Sequence, residues 1–116
     1  MENKKSGCKP TRYFSKKQED GIAKNLGGNR VPNSGATKFS KGDVVVDEWL
    51  IEAKTKVFPS DSITVRKDWF SDIEKDRAEM LKSYAAVCFC FGDGKNYYAM
   101  DEKTFKFLLS ISRGEA

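Results

Sequence analysis

Two runs of strand-forming residues, 42–46 and 49–54, are separated only by the dipeptide at 47–48. This spacing predicts a β-hairpin with a two-residue turn, and in that register Asp43 faces Glu52 directly across the two strands. The turn dipeptide, Asp-Glu, lacks the glycine that tight hairpin turns prefer, and a slip of one residue would place Asp43 on the opposite face. The register of this hairpin therefore decides which side chains meet.

The facing acids have a chemical consequence. Directly opposed β-carbons lie about 4.5–5.5 Å apart, and like charges there are destabilising, so a proton or a cation is needed between Asp43 and Glu52. Lys54 lies two residues beyond Glu52 on the same strand face, and the carbonyl of Ala53 can point at the same cation. Oxygen ligands suit Mg²⁺ or Mn²⁺, and a neighbouring lysine makes the set typical of phosphodiester cleavage. The alternative is an ordinary exposed hairpin with polar residues at its ends.

The rest of the chain predicts further helices and strands around this hairpin. Residues 15–18 form an S-x-x-Q capping box and residues 27–28 are both glycine, which predicts a first helix over residues 16–26. The remaining expected elements are a strand at 30–31, an extended segment at 62–65, a helix at 66–84, strands at 85–91 and 96–100, and a helix at 102–112. This order, α-β-β-β-α-β-β-α, indicates an α/β fold with a central mixed five-stranded sheet flanked by helices.

The last predicted helix has a clear start and a clear apolar stripe. Asp101 is a suitable N-cap, and Phe105, Leu108, Leu109 and Ile111 recur at helical spacing. We expect these four side chains to face the core.

Composition limits the classes of protein. With 116 residues, 39% of them hydrophobic, the chain has apolar side chains for one core, so we expect a flexible basic arm at residues 1–10 and a single domain over 11–116. No apolar run approaches the roughly 18–20 residues that cross a bilayer, and no secretory signal is visible, which predicts a cytosolic protein without membrane contact. The three cysteines are expected to be free thiols. Because there is no histidine, carboxylates must carry any catalysis.

Basic residues are unevenly distributed. Residues 1–41 contain ten of the 21 Lys and Arg residues but only three of the 17 acidic residues, whereas the remainder carries a net negative charge. Clustered Lys and Arg supply most of the sequence-independent affinity for nucleic acids. The alternative is a basic segment that is merely solvated.

Several of these features occur together in a known order. They are Gln18-Glu19 in the first helix, Arg30, the loop Asn33-Ser34-Gly35-Ala36, Lys41-Gly42-Asp43-Val44 and Ile51-Glu52-Ala53-Lys54-Thr55. In this order they resemble the PD-(D/E)xK nuclease superfamily, and within it the small archaeal-type Holliday-junction resolvases and their phage-encoded relatives. Gly42 stands where the superfamily's name has a proline.

The resemblance implies a restriction-endonuclease-like fold and roles for particular residues. Asp43, Glu52, the Ala53 carbonyl and Glu19 would hold Mg²⁺ or Mn²⁺, and Lys54 would be the motif lysine, so that Glu19, Asp43, Glu52 and Lys54 form the catalytic set. The residues expected to contact DNA are Arg30, Ser34, Gly35, Lys16, Lys17, Lys38, Lys41, Lys56, Arg66 and Lys67.

The implied activity is structure-selective cleavage of branched DNA by a homodimer that makes paired nicks in a four-way junction. No motif for reading bases is visible, so binding through DNA shape and phosphates is expected. Two alternatives stay open. One is another nuclease of the superfamily, of replication-repair or restriction type, and the other is a DNA-binding module without catalysis.

Overall fold

Helices and strands follow one another in the order that the sequence predicts. A computed structural model describes residues 11–32, 43–56 and 58–115. The elements are α1 (Thr11–Leu26), β1 (Asn29–Arg30), β2 (Val44–Val46), β3 (Trp49–Lys54), α2 (Lys67–Glu79), β4 (Tyr84–Cys90), β5 (Asn96–Ala99) and α3 (Glu102–Ser112). The α/β class and the mixed five-stranded sheet are therefore confirmed. The expected arm at residues 1–10 lies outside the described residues.

The strands lie in the sheet in chain order, from β1 to β5. All neighbouring pairs are antiparallel except β3 and β4, which are parallel and are connected through α2. The β2–β3 register pairs Val46 with Trp49 and Val44 with Ile51, as predicted. Asp47 adopts a φ of 51°, so an aspartate takes the left-handed conformation that glycine usually supplies in such a turn. The predicted hairpin register is correct.

Helices cover both faces of the sheet. On one face Ile22 of α1 belongs to a buried cluster with Val44 and Ile51. On the other face Ile73 of α2 belongs to a cluster with Leu50 and Val87. Since neighbouring residues of β3 belong to opposite clusters, residues 50, 52 and 54 share the α2 face.

Two helix boundaries differ from the sequence prediction. Helix α1 begins at Thr11 rather than at residue 16, so Ser15 lies inside the helix instead of capping it. Helix α2 ends at Glu79 rather than at residue 84, because Leu81 has a φ of 58° and the amide of Tyr84 donates to the Glu48 carbonyl at 3.0 Å. The segment at 62–65 forms no strand.

Helix α3 buries fewer of its apolar side chains than the sequence predicts. Asp101 caps it as predicted, accepting a hydrogen bond from the Thr104 amide at 2.9 Å. However, Phe105 is 55% exposed and Ile111 47% exposed, so the prediction that these two side chains face the core is wrong. Phe107 instead contacts the sheet by stacking on Tyr84, with 4.5 Å between ring centroids. Among the described helices, none is both long and apolar enough to cross a membrane.

The same substitution is expected to have opposite effects on stability at two glycines of the α1 region. A Cβ at Gly28 would collide with the Val45 carbonyl oxygen and the Val46 side chain, whereas a Cβ at Gly21 would meet nothing within 4 Å. We expect Gly28→Ala to lower the free energy of unfolding by about 1–3 kcal/mol, and Gly21→Ala to raise it by about 0.5–1 kcal/mol because alanine favours the helix. Urea denaturation of both variants measures the difference. Equal midpoints would show that α1 does not lie against β2 as described.

Candidate active site

Asp43 is held at the start of β2 by the backbone of β3. Its amide donates to the Ile51 carbonyl at 3.1 Å, and its Oδ2 accepts a hydrogen bond from the Ala53 amide at 2.7 Å. Because backbone groups alternate along a strand, the Ala53 carbonyl lies on the same edge of β3 as its amide, toward Asp43. The carboxylate is thus positioned by the hairpin itself.

Glu52 and Lys54 lie beside Asp43 on the α2 face of the sheet. Lys54 Nζ is 3.7 Å from Glu52 Oε2 and 5.2 Å from the ring centroid of Trp69, which belongs to α2. The side chains of Lys54 and Glu52 are only 31% and 25% exposed. Two acids and one amine therefore meet in a partly desolvated position.

The carboxyl group of Glu52 favours its protonated form strongly. Burial is the main cause, the charge of Asp43 adds to it, and the charge of Lys54 opposes it, so that the pKa of Glu52 rises to about 8. Asp76 of α2 contributes in the same direction. The predicted conflict between facing acids is present in the structure.

Glu19 approaches Asp43 from α1, on the other layer. Burial, followed by the charge of Asp43, raises the pKa of Glu19, while Arg30 lowers it. Arg30 Nε lies 3.3 Å from Glu19 Oε1 and 3.4 Å from Asp20 Oδ1. Arg30 is thus a supporting residue that holds Glu19 near Asp43.

Sequence reasoning missed Asp76 as a neighbour of this site. Asp76 lies between Ile73 and Met80 at helical spacing, so it belongs to the inward stripe of α2. An acid within an apolar stripe was the available signal.

Gln18 and Thr55 form a second contact that sequence reasoning missed. Gln18 Nε2 donates to the Lys54 carbonyl at 3.3 Å, and Thr55 Oγ1 donates to Gln18 Oε1 at 2.8 Å. Thr55 Oγ1 also lies 3.1 Å from Ser15 Oγ. The supposed capping box therefore attaches α1 to the end of β3 and helps to position Lys54.

The predicted DNA-contacting residues are divided between two regions. Lys16 and Lys17 are exposed on α1, and Lys56 follows β3 and lines a groove together with Lys17. Arg66 and Lys67 are exposed at the start of α2, where Arg66 Nε lies 3.2 Å from Asp68 Oδ1. Arg30, the sixth described residue of the set, pairs with Glu19 and Asp20. The remaining four lie outside the described residues: Ser34, Gly35, Lys38 and Lys41.

The donor set fits Mg²⁺ better than a metal held by many side chains. Within the described ranges, no three His, Cys, Asp or Glu side chains are grouped so that they could hold a metal ion. Mg²⁺ usually takes only one or two carboxylates, with water and substrate phosphate oxygens as its other ligands. Asp43, Glu52 and the Ala53 carbonyl offer oxygen ligands of this kind.

Comparisons with protein-family models, curated proteins and solved structures found no match to this chain.

Proposed function

We propose that this protein is a metal-dependent DNA endonuclease of the PD-(D/E)xK type, with a restriction-endonuclease-like fold, and that it cuts branched DNA such as a four-way junction. The observation that carries the proposal is the convergence of Asp43, Glu52 and Lys54 on one face of the β2–β3 hairpin. A structural ion pair would need only one acid beside Lys54. Asp43 is a second acid, and its charge raises the pKa of Glu52. A cation bound between the two carboxylates would explain why both acids are present.

Each residue of the proposed site would have a separate role in the reaction. Asp43 and Glu52 would hold the ion, with the Ala53 carbonyl beside them, while Glu19 would add negative charge next to Asp43. When bound, Mg²⁺ or Mn²⁺ supplies positive charge toward the phosphate and makes ionisation of water possible near neutral pH. The Lys54 ammonium, held over Trp69, stabilises negative charge that develops on the phosphate or orients the attacking water.

Further features support the proposed substrate and the proposed assembly. The chain has a net charge of +4 and no motif that reads bases, which favours recognition of DNA by shape and phosphates. Paired nicks require two sites, and the exposed Phe105 and Ile111 of α3 offer an apolar surface for a homodimer. The free buried thiols of Cys88 and Cys90 suit the reducing cytosol.

Incubation with a strand-labelled four-way junction, with Mg²⁺ and with EDTA, tests the proposal. We expect symmetric nicks in opposed strands that depend on the metal and persist in an excess of linear duplex. Equal cutting of the linear duplex would indicate another nuclease of the superfamily. Binding without cutting in both Mg²⁺ and Mn²⁺ would overturn the proposal and leave a DNA-binding module.

A further inference from the structure

A groove of about 380 Å³ lies between α1 and the β4–β5 turn, beyond the carboxyl ends of β3 and β4. This volume is within the roughly 300–1,000 Å³ typical of ligand sites, and the carboxyl ends of parallel strands are a common place for them. Lys17 and Lys56 line the groove, together with the amide side chains of Gln18, Asn25 and Asn96. None of the described lining residues is acidic, and no ion pair between described residues involves either lysine.

The groove adjoins the end of β3, on the α1 side of the sheet, whereas the Glu52 and Lys54 side chains lie on the α2 face. Lys56 follows Lys54 by two residues of extended chain, which is roughly 7 Å. Gln18 lines the groove and also donates its amide hydrogen bond to the Lys54 carbonyl at 3.3 Å. A strand with its scissile phosphate near Lys54 would reach the groove by passing around the end of β3.

Gly21 is an independent indication that the space is kept open. It lies inside α1 and lines the groove, although glycine inside a helix costs about 1 kcal/mol relative to alanine. No crowding explains it, because a Cβ there would meet nothing within 4 Å. By contrast, Gly94 on the opposite wall has a φ of 85°. This backbone conformation favours glycine and explains why glycine is found there. The absence of a side chain at Gly21 widens the groove.

We infer that this groove holds the substrate strand next to the scissile phosphate, an inference that rests on the proposed nuclease function. Lys17 and Lys56 contact successive backbone phosphates, and the amide side chains hydrogen-bond to sugar or base edges. Because the volume of the groove is only about 380 Å³, it accepts part of a single strand rather than a duplex. It therefore favours DNA whose strands separate near the cut, as they do at a branch point.

The test measures binding without cleavage. Fluorescence anisotropy in EDTA gives the affinity for a labelled single-stranded oligonucleotide and for a labelled four-way junction. We expect Gly21→Leu, which fills the groove, to weaken both by about tenfold, while Gly21→Ala stays within about twofold of the parent. Both substitutions favour the helix, so loss of folding does not explain a difference.

A second pair of variants tests the charges. Lys17→Gln combined with Lys56→Gln is expected to weaken binding about tenfold or more and to reduce the slope of log K against log salt by about 1.4–1.8, the value for two phosphate contacts. Lys106→Gln, an exposed lysine of α3, is the matched control. If Gly21→Leu binds like the parent and the double variant shifts no more than the control, the groove does not hold DNA.

Cleavage of the junction by the parent distinguishes the two proposals. A parent that cuts, with affinity insensitive to the groove variants, overturns only the groove assignment. A parent that binds through the groove but does not cut overturns the nuclease assignment and leaves the strand-binding site in place.

Discussion

Asp43→Asn is expected to reduce Mg²⁺-dependent cleavage of a four-way junction by roughly 10²–10³-fold or more. Asparagine preserves the shape of the side chain, and its carbonyl oxygen can still accept the hydrogen bond that Asp43 Oδ2 receives from the Ala53 amide at 2.7 Å. What it removes is the negative charge that would hold the cation in the proposed mechanism. Glu52→Gln is expected to have an effect of the same size, since both carboxylates belong to one site. Junction cutting under single-turnover conditions measures the loss.

The same hairpin provides matched controls. Asp47→Asn and Glu48→Gln make the same chemical changes at the exposed turn, outside the site. Asparagine also tolerates the left-handed conformation of residue 47, which has a φ of 51°. We expect both controls to cut at close to the parent rate and all four variants to bind the junction in EDTA. Unchanged cutting by both Asp43→Asn and Glu52→Gln would show that the site assignment is wrong.

The metal-free protein is expected to lose stability as the pH rises from about 4.5 to about 8. The pKa of Glu52 is raised from its ordinary 4.5 to about 8, chiefly by burial and then by Asp43. The folded state therefore keeps its proton at pH values where the unfolded chain has released it, and rising pH favours unfolding. Glu19 acts in the same direction, since its pKa is also raised. We expect a total loss of about 1–3 kcal/mol over this range.

Urea denaturation in EDTA across this pH range measures the effect. Glu52→Gln is expected to be more stable than the parent near pH 8 and to differ little from it near pH 4.5. Glu48→Gln is the control, since Glu48 is exposed and its change should leave the pH dependence as in the parent. Added Mg²⁺ is expected to stabilise the parent most near pH 8 and to have little effect on Glu52→Gln. Parallel stability profiles of the parent and Glu52→Gln would contradict the raised pKa.

Asp101 has the opposite pH dependence. Its hydrogen bonds with Thr104 lower its pKa from the ordinary value of 3.8. The stability that this cap contributes is present above that value and is lost as the pH falls through the lowered pKa, so it does not interfere with the window of Glu52.

The element order and the central hairpin could be predicted from the sequence because their signals are local. Side chains alternate with a period of two along a strand, and the two residues between the runs allow one tight connection. These facts placed Asp43 opposite Glu52 and Lys54 beside it before any tertiary contact was known. The same holds for the Asp101 cap, whose side chain bonds an amide in the next turn.

The helix ends could not be predicted so well, because distant residues compete for their polar groups. Ser15 and Gln18 have the spacing of a capping box, but they contact Thr55 at the end of β3. The periodicity of α2 continues toward Tyr84, but the Tyr84 amide bonds to Glu48 instead. In both cases a long-range hydrogen bond replaced the local one.

The sequence by itself determined that β2 pairs with β3 and in which register. It thereby determined that Asp43, Glu52 and Lys54 lie on one face of the hairpin. Only the tertiary structure decided that Glu19 reaches this pair from the opposite layer, that Asp76 lies close enough to raise the pKa of Glu52, and that Phe105 stays exposed. Local periodicity specifies the face on which a side chain lies. The neighbour that meets that face depends on how helices pack across the sheet, which no short stretch of sequence encodes.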